Sequence, residues 1–291
     1  MKIENTKITI TGNFIKMARI EEEWYEDVED PLSLIEALKK SKIKADLFTF
    51  WQRIPEIKPK YNYYMEWENI AVIPIQSYNH WWEKQINSRT RGIIRKAKKN
   101  GVVVKEAEFN DEFIQGMTNI FNETPIRQGK PFWHYGKDFE TVKREFSKYL
   151  FREDLIAAYY NDELIGFIFL AHAGKYAITS QIISKIEHRD KALNNALLAK
   201  AVEICDKKKV PYLVYYYWDD KSLTEFKRRN GFEMTALPRY YIPLTTKGKI
   251  ILKLNFHHGV TGVLPEKLLV YLKEIRKKIY KIKYEKKTKY M

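Results

Sequence analysis

Apolar and polar residues alternate along the first eighty residues in a way that predicts a small α/β unit. The run ITITGNF is typical of a strand, and Asp30-Pro31 followed by LSLIEALKK predicts a helix with proline in its first turn. Three β-rich runs follow, and Pro74 inside the last of them predicts an edge strand or an early strand end. The runs are ADLFTFWQR, NYYMEW and IAVIPIQSY.

A long amphipathic helix is predicted over residues 81–99, because its apolar residues recur at helical spacing and Asn100-Gly101 supplies a C-terminal stop. The apolar stripe comprises Trp82, Ile86, Thr90, Ile93, Ile94 and Ala97. The strand GVVVKEAEF comes next, and then a helix over residues 111–121 that Asp111 is predicted to cap.

Residues 122–138 contain prolines and glycines and show no clean period, which predicts a loop. Loops mounted on a rigid scaffold often carry function. After a helix over 139–151, the pattern becomes three antiparallel strands, a helix, a fourth strand and a last helix. The four strands are LIAAYY, LIGFIFLAHA, YAITSQIIS and PYLVYYYW. The helix over about 191–208 is a crossover, so the last two strands are predicted to be parallel.

The chain of 291 residues has a net charge of +15, which is concentrated in two segments. In residues 81–100 the acid Glu83 is outnumbered by Lys84, Arg89, Arg91, Arg95, Lys96, Lys98 and Lys99. The second basic segment extends from residue 246 onward. Such segments favour an anionic ligand, an anionic surface or nucleic acid, and the alternative is a solvated helix face.

Cys205 is the single cysteine and lies in an apolar helical pattern, so we expect a buried, inert thiol. One cysteine provides neither a disulfide framework nor a zinc-binding set, so no metal is predicted, and this usage fits a reducing compartment. The first residues lack the apolar core of a signal peptide, and no apolar run approaches the roughly 20 residues of a membrane span. The expected location is cytoplasmic.

The segment SLTEFKRRNGFE, residues 222–233, resembles the ending of the GNAT superfamily, in which a helix after the fifth strand closes on Asn-Gly-Phe. Leu223, Phe226, Gly231 and Phe232 fit that pattern, although FKRRNGF alone also fits an ordinary helix C-cap. The basic helix RTRGIIRKAKKNGVVVKE ahead of the core is similar to the Fem-type (FemAB-like) branch of acyltransferases. The resemblance covers roughly residues 81–242.

This resemblance implies an α/β (α+β) GNAT fold, a mixed sheet with flanking helices, preceded by a reduced GNAT-like N-terminal subdomain. It divides the chain into residues 1–80, a catalytic domain over 81–245 and a basic helical tail over 246–291. The implied enzyme is an N-acyltransferase that moves an acyl group from acyl-CoA, acetyl-CoA first of all, to an amine on a peptidoglycan, other cell-envelope or glycan precursor. One alternative is a Fem-type aminoacyltransferase that uses aminoacyl-tRNA, although the coiled-coil arm of those relatives is missing. The other is a basic module that binds nucleic acid without catalysis.

In GNAT enzymes the N-terminus of the crossover helix binds the phosphates of acyl-CoA, because free N–H groups and the helix dipole favour anions there. The resemblance therefore assigns donor binding to the junction before and within that helix. Its residues are His188, Arg189, Lys191, Ala192, Asn194 and Asn195. The spaced glycines of the usual family pattern are missing, as they are in Fem-type proteins.

Acyl transfer to an amine needs a base, a donor to the developing oxyanion and a proton for the leaving group. His134 and Glu123 are the candidate bases, with Asp219 as a further choice, and one of Tyr215, Tyr216 and Tyr217 is the candidate acid. Alternation is expected to place Tyr215 and Tyr217 on one face of the strand, and the alternative is that they only fill the sheet. Candidate acceptor contacts in the loop are Arg127, Gln128, Lys130, Trp133 and Tyr135, and the alternative is a loop held by aromatic packing.

The C-terminal stretch PEKLLVYLKEIRKKIYKIKYEKK predicts a basic amphipathic helix. Its apolar stripe comprises Leu268, Leu272, Ile275, Ile279 and Ile282. This helix either packs on the body or contacts anionic lipid, which would suit a lipid-linked precursor at the inner membrane face.

Overall fold

The computed structural model describes residues 2–3, 6–28, 30–218, 221–259, 271–272, 274–276 and 278–280. The chain forms two compact units. The first comprises Met1–Asn69 and Thr235–Arg276, and the second comprises Ile70–Met234 and Lys277–Met291. Compactness does not define function, so the division into segments 1–80, 81–245 and 246–291 remains a prediction.

The strands and helices have the following bounds. The strands are β1 Lys2–Ile3, β2 Thr6–Thr11, β3 Met17–Ile20, β4 Leu47–Trp51, β5 Tyr64–Pro74, β6 Val103–Ala107, β7 Ile126–Arg127, β8 Lys130–Pro131, β9 Glu153–Tyr160, β10 Glu163–Ala173, β11 Tyr176–Ser184, β12 Tyr212–Tyr217 and β13 Glu233–Pro243. The α-helices are α1 Pro31–Lys40, α2 Tyr78–His80, α3 Ser88–Lys99, α4 Asp111–Asn122, α5 Phe139–Phe146, α6 Leu193–Lys207, α7 Lys221–Arg229 and α8 Thr246–Lys253. Short turns of other helix types are Trp81–Gln85 (π) and Leu150–Arg152, Arg189–Lys191 and Phe256–His258 (3₁₀).

The first unit is built on five strands in the order β1-β2-β3-β4-β13. Strands β3 and β4 are parallel, and the other neighbours are antiparallel. The whole of β4 is buried because helices cover both of its faces. Phe48 and Phe50 pack in a cluster with Leu34 of α1, whereas Leu47 packs with Ile251 of α8.

The second unit has the strand order β5-β12-β11-β10-β9-β6. Its neighbours are antiparallel except β11 and β12, which are parallel, as the crossover helix predicted. Alternate residues of β9 enter two different cores. Ile156 and Ala158 pack with residues of α3 and α6, whereas Leu155 and Ala157 pack with residues of α4 and α5. Two covered faces explain why the strand sequences are almost continuously apolar.

The prediction of one continuous helix over 81–99 is wrong. The π-helical turn ends at Gln85, the backbone is extended at Ile86 and Asn87, and α3 begins at Ser88. The Asn87 side chain accepts a hydrogen bond from the N–H of Thr90 at 2.9 Å. Asparagine satisfies a free helix donor better at an N-cap than in a helix interior, so it starts a new helix here.

Other predicted boundaries shift for similar local reasons. Asn110, not Asp111, caps α4, because its side chain accepts a hydrogen bond from the N–H of Phe113 at 2.9 Å. The runs NYYMEW and IAVIPIQSY form the single strand β5, since strand pairing overrides a weak local turn preference. The predicted helix over 139–151 ends at Phe146, and the crossover helix begins at Leu193 rather than near 191.

The Asn-Gly-Phe segment has a packing role beyond ending α7. The buried Asn230 accepts a hydrogen bond from the Trp81 indole N–H through its carbonyl oxygen at 3.0 Å. Gly231 has φ of +87°, and a Cβ there would lie 2.9 Å from Trp81 Nε1. A side chain at residue 231 would therefore meet both backbone strain and a rigid ring.

Cys205 is buried in the core of the second unit, which confirms the predicted burial, and this burial raises the pKa of its thiol to about 12, as an unreactive thiol requires. None of the described helices has the length and apolar character needed to span a bilayer. In the predicted C-terminal stripe, Leu272, Ile275 and Ile279 are exposed. Leu268 and Ile282 lie outside the described residues, and contact of this segment with lipid stays a prediction.

Candidate active site

Strands β11 and β12 begin side by side and then separate, which opens a wedge in the sheet of the second unit. Parallel pairing extends from Tyr176 opposite Tyr212 to Ile178 opposite Val214 and then stops. Beyond this point β11 pairs only with β10, and β12 pairs only with β5. Open α/β sheets bind ligands at such a crevice beyond the carboxyl ends of parallel strands.

A β-bulge at Ser180 lies at the start of the wedge. Phe169 of β10 pairs with Gln181, but the next residue of β10 pairs with Thr179, so Ser180 has no partner in the ladder. A bulge leaves the extra residue's backbone groups outside the regular pairing and redirects nearby side chains. The wedge therefore contains backbone groups that the sheet does not need.

Two side chains join Ser180 in a small polar cluster. The Ser180 hydroxyl oxygen lies 3.2 Å from the carbonyl oxygen of Phe169 and 3.3 Å from Oε1 of Glu153, so it can donate to either. The Tyr216 hydroxyl donates to the Ser180 carbonyl oxygen at 3.0 Å. Sequence reasoning missed Glu153 and Ser180 and named Tyr216 only as one of three consecutive tyrosines, because only the bulge and the wedge bring the three side chains together.

Strand β12 lacks the regular alternation that was expected to place Tyr215 and Tyr217 on one face. Tyr216 has φ of +44°, and the register of β12 shifts between Val214 and Tyr217. Tyr215 packs into the core, and burial raises the pKa of its hydroxyl to about 12. The buried Lys227 ammonium lies 4.7 Å from the Tyr215 ring centroid and donates to the Tyr217 carbonyl oxygen. Catalytic roles for Tyr215 and Tyr217 remain predictions.

Glu123 and Arg127 connect the loop 122–138 to the end of β11. The Glu123 carboxylate accepts hydrogen bonds from the N–H groups of Ile186, at 2.7 and 2.8 Å, and of Glu187, at 3.1 Å. Arg127 donates to the Ser184 carbonyl oxygen at 2.7 Å and to the Glu123 carboxylate at 3.0 Å. The hydrogen bonds of both side chains hold the loop 122–138 against the end of β11. In this geometry their role is to position the loop.

His134 lies inside an aromatic core and has only 1% of its surface exposed. Its ring stacks on Phe121 with centroids 4.3 Å apart, and Trp133 lies 3.9 Å away on the same measure. The Lys137 ammonium is 3.4 Å from Nδ1, while Nε2 is buried without a well-formed hydrogen bond among the described residues. A base needs access to its substrate, so burial argues for a packing role.

We expect the folded chain to lose stability as the pH falls from about 6.5 to about 4, because burial, and next the Lys137 charge, lower the pKa of His134 to about 4. In the unfolded chain the imidazole binds a proton near pH 6.5, so the unfolded state holds more protons throughout this window. The loss attributable to His134 is about 3 kcal/mol at pH 4.

Urea unfolding of the wild type and of His134→Met at pH 7 and pH 4.5 measures this contribution. Other groups contribute equally to both proteins, so the wild type is expected to lose more stability than the variant over that interval. Equal losses in the two proteins would show that His134 does not titrate in this way.

The remaining predicted acceptor contacts are on the surface of the loop. Trp133 is 68% exposed, and Tyr135, Gln128 and Lys130 are exposed as well. The Lys137 ammonium lies 4.1 Å from the centroid of the Trp133 ring. An exposed aromatic ring beside a cation can stack on a sugar or hold an anionic group, so this surface remains available to an acceptor.

The predicted donor junction begins with a 3₁₀ turn rather than with the helix itself. Ala192, with φ of +59°, precedes α6, and no side chain caps the first N–H groups of the helix. Leu193 is buried against Gly166, where a Cβ would lie 2.4 Å from the leucine Cδ1. The helix therefore starts with N–H groups that no side chain caps, and a large core residue, Leu193, occupies its first position.

The predicted donor-binding side chains do not all point to one site. Arg189 is exposed, whereas Lys191 lies 3.7 Å from Asp190 and 4.6 Å from the Tyr160 ring centroid. His188 Nε2 lies 3.6 Å from Glu163 and 3.5 Å from Glu187.

The two asparagines of the junction differ in their bonding. Asn195 donates to the Asn230 side chain at 2.9 Å. Asn194 Oδ1 is buried without a hydrogen-bond partner among the described residues. Of the predicted set, the exposed Arg189 guanidinium and the buried Asn194 Oδ1 are the side-chain polar groups that have no hydrogen-bond or ion-pair partner among the described residues.

Comparison with known proteins gives a consistent fold. No family model and no curated protein matches the sequence. FemX has a TM-score of 0.56 and 10% identity, with 85% of this chain and 86% of that chain covered. The C-terminal domain (DUF2156) of a putative lysylphosphatidylglycerol synthetase from Agrobacterium fabrum has a TM-score of 0.58 and 12% identity, with 88% and 87% covered. L-PGS from Bacillus licheniformis has a TM-score of 0.57 and 12% identity, with 84% and 83% covered.

At such low identities, the structural similarity establishes the fold alone, and the chemistry must be inferred from the residues of the site. The parallel pairing of β11 with β12 across the crossover helix and the Asn-Gly-Phe ending after α7 are the features that the sequence predicted for this fold. The chain therefore has the fold of FemX and of the lysylphosphatidylglycerol synthetase C-terminal domain.

Proposed function

We propose that the second unit is a transferase that moves an acyl group to an amine of a cell-envelope or glycan precursor, in the wedge between β11 and β12. The observation that carries this proposal is the polar cluster of Glu153, Ser180 and Tyr216 at the bulge. Polar groups inside a sheet are costly to bury, and groups that can move protons are what acyl transfer requires. The fold shared with FemX and with lysylphosphatidylglycerol synthetases supports the same class of reaction.

In the proposed reaction the acceptor nitrogen attacks the acyl carbonyl carbon, a C–N bond forms, and the C–O or C–S bond to the carrier breaks. Glu153 takes the proton that the nitrogen loses, directly or through the Ser180 hydroxyl. Backbone N–H groups at the bulge stabilise the charge on the carbonyl oxygen. Tyr216 protonates the leaving oxygen or sulfur and recovers its proton from Glu153.

The acceptor in this proposal binds over the loop 122–138. Glu123 and Arg127 anchor this loop to the end of β11, and His134 fixes it to the aromatic core. Trp133 and Tyr135 remain exposed for stacking on a sugar, and Lys130 for an anionic group. We assign positioning to Glu123, Arg127 and His134, and acceptor contact to the exposed residues.

The donor candidates are acyl-CoA and aminoacyl-tRNA. The uncapped start of α6 with exposed Arg189 supports acyl-CoA, because it offers free N–H groups to a phosphate. However, Lys191 and His188 are engaged by acids of the protein, so this phosphate site is small.

The exposed cations ahead of and along α3 favour aminoacyl-tRNA, which we propose as the donor. Arg91 donates to the carbonyl oxygens of Trp82 and Ile86, and Arg95 lies over the Trp82 ring, so these two have structural contacts. The other cations are exposed and have no ion pair among the described residues. They are Lys84, Arg89, Lys96, Lys98 and Lys99. Clustered, unpaired cations are what phosphate backbones bind.

We expect tRNA binding to weaken steeply with salt, because each phosphate contact releases a counterion. Five single-strand contacts predict a log–log slope of about −3.5, or about a 100-fold loss of affinity between 50 and 200 mM salt. Replacing Lys96, Lys98 and Lys99 with glutamine should make the slope shallower by about 0.7 to 0.9 per contact. Titration of charged tRNA and of acetyl-CoA at both salt concentrations, followed by an assay of amine acylation, measures donor choice and activity.

The matched control replaces Lys39 and Lys40, exposed at the end of α1, with glutamine and is expected to leave the slope unchanged. Acetyl-CoA binding that depends on Arg189, together with weak tRNA binding, would establish acyl-CoA as the donor. Binding of tRNA without any acylation of amines would instead indicate a nucleic-acid-binding module.

A further inference from the structure

Three potential metal ligands of the first unit converge where β5 begins. His257 Nε2 lies 2.7 Å from Oε1 of Glu66, and His258 Nε2 lies 2.6 Å from Oε2. One ligand atom from each residue lies within 4.8 Å of the others. The Tyr64 hydroxyl is a further neighbour, 3.1 Å from Glu66 Oε1.

The three side chains differ in how far they are exposed to solvent. The His257 side chain is fully buried, whereas Glu66 and His258 are partly exposed. The two histidines also line a cavity of about 850 Å³, whose other walls include Ile250 and Phe256. A ligand at this cluster thus has a route in and a space beside it.

A second group of acids and histidine shows why this cluster is unusual. Glu163, Glu187 and His188 also lie within ligand distance of one another, but the Lys185 ammonium contacts both carboxylates and supplies the positive charge. Among the described residues, no lysine or arginine forms an ion pair with Glu66. The Glu66 carboxylate instead faces the two imidazoles and the Tyr64 hydroxyl, so a cation that binds there takes over contacts from neutral ligands and displaces no lysine or arginine.

We propose that Glu66, His257 and His258 bind a divalent transition-metal ion such as Zn²⁺. Two imidazoles and a carboxylate form a mixed nitrogen and oxygen set that suits Zn²⁺ or Co²⁺ and does not suit Mg²⁺. With bonds of about 2.0–2.1 Å in tetrahedral geometry, ligand atoms stand about 3.3 Å apart. The present separations must therefore widen by about 0.6 Å, which the partly exposed Glu66 and His258 side chains can supply by rotation.

The fourth position faces the cavity, where water would complete the coordination. The ion would join the start of β5 to the turn Phe256–His258 after α8. Ligating histidines are usually supported through their other ring nitrogen, and His257 Nδ1 has no hydrogen-bond partner among the described residues. We therefore expect micromolar rather than nanomolar affinity.

The test uses the full chain without a histidine tag, stripped of metal by a chelator and titrated with Zn²⁺ and Co²⁺. We expect one ion per chain, a Co²⁺ visible spectrum of tetrahedral type, and a rise in an unfolding temperature of about 5 °C at Zn²⁺ well above the dissociation constant. Glu66→Gln and His258→Asn should each weaken binding at least about 10-fold.

The matched control is His188→Asn, which removes the histidine of the other cluster and should leave the affinity unchanged. If Glu66→Gln proves misfolded by circular dichroism, the exposed His258→Asn decides the question. No binding below about 100 µM, or equal affinity in the wild type and His258→Asn, would overturn the proposal. Neither result depends on transferase activity in the second unit.

Discussion

Replacing Arg239 with methionine is expected to lower the free energy of unfolding by about 3–5 kcal/mol, because it leaves two partly buried carboxylates, Glu23 and Glu68, without their buried partner. The Arg239 residue is 2% exposed. Its Nη1 donates to Glu23 at 3.0 Å, and its Nε lies 2.6 Å from Glu68, in a direction less suited to a hydrogen bond. Burial alone opposes the charge, but the two carboxylates outweigh it and raise the pKa of Arg239.

Urea unfolding followed by circular dichroism measures the loss. Arg228→Met is the matched control, because Arg228 pairs with Glu225 on the surface and should contribute less than about 1 kcal/mol. Adding Glu23→Gln and Glu68→Gln to Arg239→Met should restore much of the lost stability, since the unpaired charges are then gone. A loss below about 1 kcal/mol for Arg239→Met alone would contradict the argument.

Glu153→Gln is expected to lower kcat/KM for amine acylation by about 100-fold or more, because the amide keeps the shape of the side chain but cannot accept the proton. This prediction rests on the proposed function. Tyr216→Phe should have a smaller effect of about 10-fold, since a water molecule can protonate the leaving group in its place. Initial rates with the donor identified by the binding titrations, at saturating and limiting acceptor, measure both effects.

Glu112→Gln is the matched control, because Glu112 is exposed on α4 and undergoes the same change of charge. Donor affinity should be unchanged in Glu153→Gln, so that the loss appears in the chemical step. If Glu153→Gln retains the wild-type rate while Glu112→Gln does too, the base lies elsewhere and the polar cluster only stabilises the bulge.

The sequence by itself determined the features that depend on neighbouring residues. Strand β11 has the bounds of the predicted run YAITSQIIS, and α1 begins where predicted, with Asp30 accepting hydrogen bonds from the N–H groups of Leu32 and Ser33. The parallel pairing of β11 with β12 followed from the helix between them. Periodicity and capping act over a few residues, and a crossover connection has few alternatives, so local patterns suffice for these.

Only the tertiary structure decided which polar side chains meet. The sequence placed His134 in an irregular loop, whereas the structure shows its ring stacked on Phe121 as part of the core. Glu153 reaches Ser180 only because β11 carries a bulge and leaves β12, and a bulge of one residue leaves little trace in the apolar pattern. His257 contacts Glu66 across 191 positions of sequence, a separation at which no periodicity or spacing rule applies. Local sequence therefore determined most helices and strands. The positions of the site residues depend on strand register and on the separation of β11 from β12, and both are set by packing between segments that are distant in the sequence.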